Sequence, residues 1–175
     1  RGVEESLLFV TDGLTGIKDA ISNVFPKARH QSCWVHLSRN VAHAVRVKDR
    51  SEVLSDLKTV YTQDTLENAE AALNTFINTW DKRYPKVTDK LKNNPSLFTF
   101  LSFPKEIRAS IYTTNLIEGF NKHLKRYTKR KEQFPNEDSL IRFIGTYAGD
   151  YNQRFQMRIH KGFKLVTAEL NDMFN

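Results

Sequence analysis

The chain has 175 residues, 39% hydrophobic and 27% charged, with 27 Lys and Arg against 20 Asp and Glu for a net charge of +7. That length suits one domain, or one domain with a large insertion, and 7 Gly with 5 Pro exclude a collagen-like or low-complexity chain. No apolar run is long enough to span a bilayer, no signal peptide opens the chain, and a single cysteine, Cys33, excludes a disulfide framework.

A reducing cytoplasm is the natural setting for such a composition, and the positive charge favours an anionic partner, most commonly nucleic acid. Arg1-Gly2 precedes a strand almost at once, as expected of a piece cut from a longer chain. Ser6 to Thr11 is a short continuous apolar run and reads as a strand buried on both faces. Asp12-Gly13 marks a turn, and Ile17, Ala20, Ile21 and Val24 recur at helical spacing until Phe25-Pro26. His30 to Val35 reads as a second strand, followed by a helix from about His36 to Lys48. Alternating β and α elements this short imply a parallel sheet with covering helices.

From Ser51 the pattern is helical. Val53, Leu57, Val60 and Tyr61 mark one helix. Asp64-x-x-Glu67 has the form of a helix N-terminus, with Ala69, Ala72, Leu73, Phe76, Ile77 and Trp80 as the stripe behind it. Tyr84-Pro85 and Asn94-Pro95 interrupt, and Leu97 to Phe103 is a dense aromatic patch. Further helices are expected at about Thr114 to Tyr127 and Asn136 to Phe155, with a short one between Leu165 and Phe174. The chain thus reads as α/β at its start and predominantly helical overall.

Few residues carry chemistry. Asp12 lies just past a buried strand, where ligands gather in open α/β sheets; it equally suits a helix cap or an Asp-Gly turn. In the helix from Thr114, Leu116, Phe120, Leu124 and Tyr127 define the buried stripe. Asn115, Glu118, Lys122, Lys125 and Lys129 share the opposite face, so one carboxylate stands among cations. A capping box of Asn115 with Glu118 fits the same spacing. Between Asn121 and Lys131 six cations (Lys122, Lys125, Arg126, Lys129, Arg130 and Lys131) stand without an acid, a density that suits phosphates or a solvated face. Tyr127 and Phe134 flank this run and suit either base stacking or burial. Cys33-x-x-His36 resembles half a zinc site, but no second paired motif completes it. His36, Arg39, His43 and Arg46 share a helical face suited to an anion.

Taken in order, Asp12-Gly-Leu-x-Gly-Ile, Phe25-Pro26, Gln31-x-Cys33-x-x-His36-x-x-Arg39-Asn40, Thr114-Asn115-x-x-Glu118 and Phe134-Pro-Asn-Glu-x-Ser139-Leu resemble the bacterial Mutator-type transposases. The resemblance runs from about Val10 to Arg142 and implies a DDE enzyme with an RNase H-like core. It makes Asp12 the second catalytic aspartate and Glu118 the glutamate, both ligands of Mg²⁺ or Mn²⁺, with Cys33 and His36 as a signature beside the site. It also implies DNA, both transposon ends and target, as partner, with Arg39, His43, Lys122, Lys125, Arg126, Lys129 and Arg130 as contacts. A homo-oligomer is implied for the full-length protein, and a bacterial cytoplasmic, nucleoid-associated setting without a membrane. Residues 1–50 then supply the second half of a partial RNase H-like core, with two short parallel strands. Residues 51–112 form a large all-helical insertion, and residues 113–175 the glutamate helix and C-terminal helices.

The family's first aspartate belongs upstream of Asp12 and has no counterpart here, so weak metal binding and no activity are expected of this stretch alone. Two divalent metals about 3.5–4 Å apart activate the nucleophile and stabilise the leaving oxygen in such chemistry. The competing reading is a non-catalytic DNA-binding or dimerisation module, a transposase remnant, with the Trp80 helix and the Leu97–Phe103 patch as its working surface unless they form the insertion's own core.

Overall fold

Leu8–Thr11 forms β1 and Arg29–Ser32 forms β2, paired in parallel with Leu8 opposite Arg29 and Thr11 opposite Ser32. The computed structural model describes residues 3–160 and 162–174, with the side chain of Leu116 outside the description. All four residues of β1 are half-buried, not buried on both faces as the apolar run suggested. The reason is topological: among the described residues β1 pairs only with β2, so its outer edge is open. The outer edge of β2 is covered instead by residues 96–99. Ser32 N donates to Ser96 O at 2.8 Å, and Thr99 Oγ1 donates to His30 O at 2.7 Å.

Between the strands, Ile17–Val24 forms α1. Gly13 and Gly16 reverse the chain in front of it at φ 88° and 80°, a region L side chains avoid. Helix α2, Trp34–Ala44, begins two residues before the expected start, and β2 ends at Ser32 where a strand to Val35 was expected. A tertiary contact overrides the local pattern. Trp34 is buried at 1% exposure, and its indole N–H donates to Leu97 O at 2.9 Å.

Helix α3, Arg50–Tyr61, presents Val53, Leu57 and Val60 fully buried, as the spacing predicts. Helix α4, Leu66–Trp80, is capped by Thr65, whose side chain accepts from Asn68 N. Asp64, expected to begin this helix, pairs with Lys105 at 2.9 Å instead. Pro85 opens α5, Pro85–Lys92, at a position that needs no N–H. Helix α6, Lys105–Ile111, follows a 3₁₀ turn at Thr99–Ser102. Trp34 and Val41 from α2 share one core with Leu57, Phe76, Trp80 and Phe100. The aromatic patch is therefore interior: Leu97, Phe100 and Phe103 are each at most 3% exposed, and Trp80 is 4% exposed. These side chains are not a docking surface.

Helices α7, Asn115–Arg130, α8, Glu137–Phe155, and α9, Thr167–Asp172, complete the order. Asn136 caps α8 by accepting from Ser139 N at 2.9 Å. The stripe residue Leu116 lies outside the described side chains; Phe120 and Leu124 are half-buried and Tyr127 is exposed. The chain divides into two compact units, Arg1–Thr114 with Leu165–Asn175, and Asn115–Lys164. Among the described residues no helix is long and apolar enough to cross a membrane.

Candidate functional site

In the first unit, Asp12 follows the last residue of β1 and is exposed, at the carboxyl end of a parallel pair. It does not cap α1, because Gly16 occupies the cap position without a side-chain bond. Among the described residues no hydrogen bond or ion pair engages its carboxylate. A carboxylate at the carboxyl end of a strand, left without an internal partner, is available to a cation.

Behind Asp12 the backbone is fastened tightly. Cys33 N donates to Thr11 O at 2.8 Å, and Trp34 N donates to Tyr112 O at 3.0 Å. The Cys33 thiol, 1% exposed, accepts from Thr114 N at 3.3 Å and lies 3.3 Å from Thr114 Oγ1. The cysteine of the Cys-x-x-His signature thus pins the residue that leads into α7 against the strand ends. His36 is half-buried in the first turn of α2, and Arg39 and His43 are exposed further along it.

Two residues beside this point were not singled out as site residues from the sequence. His30 Nε2 pairs with Thr11 Oγ1 at 2.8 Å, and burial, then the charge of Lys18, holds its imidazole below the ordinary 6.5. It is therefore neutral at neutral pH. Gln31, fully buried, donates to Ser32 O and Leu97 O and accepts from Phe100 N at 2.8 Å. A glutamine within β2, two residues before the signature cysteine, carries no sequence mark of this role, since its distant partners lie 66 and 69 positions away.

In the second unit, Glu118 is half-buried in the first turn of α7, where a carboxylate meets the positive end of the helix dipole. Lys122, Lys125, Arg126, Lys129 and Arg130 follow it, all exposed, and among the described residues none of them forms an ion pair. Arg130 lies over the Tyr127 ring at 5.6 Å. Like charges three and four positions apart raise one another's energy, and a polyanion relieves that repulsion. Eleven Lys and Arg stand against five Asp and Glu between residues 115 and 164, so this unit holds +6 of the chain's +7.

Among the described residues no three His, Cys, Asp or Glu side chains cluster as a ready metal cage. Asp12 and Glu118 nonetheless offer hard oxygen donors of the type Mg²⁺ and Mn²⁺ take, and these ions keep several waters and accept few protein ligands. Each carboxylate taken by itself has donor chemistry that fits such an ion.

The family model described as "Transposase, Mutator family" matches residues 1–158. The transposase for insertion sequence element IS905 of Lactococcus lactis is 44% identical over the whole chain, which covers 45% of that protein. The transposase for IS1201 of Lactobacillus helveticus is 43% identical over 86% of the chain and 41% of its own length. A probable transposase for an ISRM3-like element of Sinorhizobium fredii is 35% identical over 82% of the chain and 36% of its own length. The chain thus spans less than half the length of these curated relatives.

Proposed function

Because the chain belongs to the Mutator family of transposases, we propose that it carries the second half of a DDE-type catalytic domain that cuts and joins DNA strands. The observation that carries this reading is the Asp12 carboxylate, presented at the carboxyl end of β1 without a partner among the described residues. The pin from Cys33 to Thr114 supports it. Glu118 stands in the first turn of α7, four residues after Thr114.

Asp12 and Glu118 are the residues that hold Mg²⁺ or Mn²⁺ in this reading. When bound, the metal supplies Lewis-acid activation of an attacking water or 3′-hydroxyl and stabilises the leaving oxygen. The chain's own residues do the rest. Neutral His30 braces Thr11, and with it the end of the strand that presents Asp12. Lys122, Lys125, Arg126, Lys129 and Arg130 hold phosphates, with Arg39 and His43 as further contacts. Two carboxylates are one fewer than the family's set, so residues 1–175 by themselves bind metal weakly and do not transfer strands. The setting that follows from this reading is the bacterial nucleoid.

Mn²⁺ titration followed by electron paramagnetic resonance tests the assignment. Binding that is weak in the native sequence and further reduced in both Asp12→Asn and Glu118→Gln is expected. Binding that both variants leave untouched would remove the two carboxylates from the site.

A further inference from the structure

Within Asn115–Lys164, a groove of about 510 Å³ runs between α7 and α8. Six Phe and Tyr side chains line it, among them Tyr127, Tyr147, Tyr151 and Phe155. The rings form a connected series: Phe120 meets Tyr151 edge-on at 5.0 Å, Tyr127 lies 5.4 Å from Tyr147, and Tyr151 lies 4.6 Å from Phe155. Among the described residues of this unit no side chain is fully buried, so these rings keep exposed surface, unlike Trp34 or Phe100 in the first unit. Arg154 and Arg158 stand at the groove, and the Arg158 guanidinium lies over the Phe155 ring at 5.6 Å. Asp150 is the acid on the lining.

We propose that this groove binds unpaired nucleotides, stacking their bases on the Tyr and Phe rings while Arg154 and Arg158 hold the flanking phosphates. The inference rests on the DNA-binding reading above and goes beyond it, because a phosphate-binding lysine face serves a duplex equally well and needs no aromatic groove. Three features select this occupant. Aromatic rings interleaved with cations are what unpaired strands require, since every base offers a π face that a duplex hides. The net +6 of the unit complements a polyanion rather than an apolar helix or a second copy of the same basic surface. Asp150 can accept from an exocyclic base amine, which a purely apolar partner would leave without use.

Gly119 provides a test that leaves the rings in place. It lines the groove, and a Cβ built on it meets nothing within 4 Å, so a larger side chain enters open space. Leu also favours the helix over Gly. The measurement is binding of the 175-residue protein to labelled single-stranded and duplex oligonucleotides of one sequence, for the native chain, Gly119→Leu and Tyr127→Leu. Both variants should weaken single-strand binding about ten-fold, the worth of roughly one stacked base, and change duplex binding less than two-fold. Single strands carrying 5-iodouracil should photo-crosslink to Tyr127 or to the peptide spanning Phe143 to Phe155. A native chain that binds duplex but ignores single strands overturns the inference and leaves the DNA-binding reading standing. Equal losses on both forms, or crosslinks confined to the first unit, also overturn it. If neither form binds at low salt, the DNA-binding reading fails as well.

Discussion

Gln31 shows how a side chain inside a recognisable motif can serve the fold alone. Its amide joins β2 to the Leu97–Phe100 segment through two hydrogen bonds and makes a third to Ser32 O, in a fully buried setting. Gln31→Leu strands the Phe100 amide, and a buried unpaired donor costs about 1–3 kcal/mol. Urea unfolding should show that loss, with the slope of the transition unchanged. Cys33 is similar, since its thiol is spent on Thr114 and is not open to solvent. Asp12 and Glu118 were legible as candidates because carboxylates at a strand end and amid cations are locally odd. Gln31 and His30 were not, because their partners come from distant positions that no local spacing reports.

Among the elements, α3 and α4 were readable because their stripes are long and match one buried face. Helix α6 was not, since seven residues offer too few turns for a period to show. Three aspartates link elements that the stripes cannot connect. The hydroxyl of Tyr84, then Arg83, holds Asp49 below the ordinary 3.8. Lys105 does the same for Asp64, and Thr88 followed by Lys92 for Asp81. A carboxylate depressed in the folded state stabilises it above the unfolded value and loses that contribution as pH falls through the folded value. The aspartates' contribution should therefore be complete above about pH 5 and decline below about pH 4, while the depressed His30 makes stability begin to fall as pH drops below about 6.5. Asp49→Asn should shorten that decline in urea midpoints measured across pH. On α7 the lysine face has its own signature. Lys122→Ala, Lys125→Ala and Lys129→Ala together should reduce the slope of log K against log salt for duplex DNA by up to about 2.7, at about 0.9 per phosphate lost.

At the scale of the molecule, the two units differ in how they are held. The first surrounds a core with fully buried Val53, Leu57 and Val60, while the helices of the second keep their aromatic rings partly exposed. Backbone amides in α3 and α4 should be the last to exchange with deuterium, and those in α7 and α8 should exchange well before them. Protection in α8 equal to that in α3 would contradict this ordering. The α/β start and helical remainder were legible in the sequence, but the grouping of Leu165–Asn175 with the first unit was not, because no local spacing reports which unit a tail joins. The edge of β1 that no described residue covers has a practical consequence for handling the protein. Its outward amide and carbonyl groups, flanked by Phe9 and Val10, form a template onto which other extended chains can zip. Concentrated solutions of these 175 residues should therefore scatter light increasingly with time, and a short peptide able to occupy that edge should keep them clear.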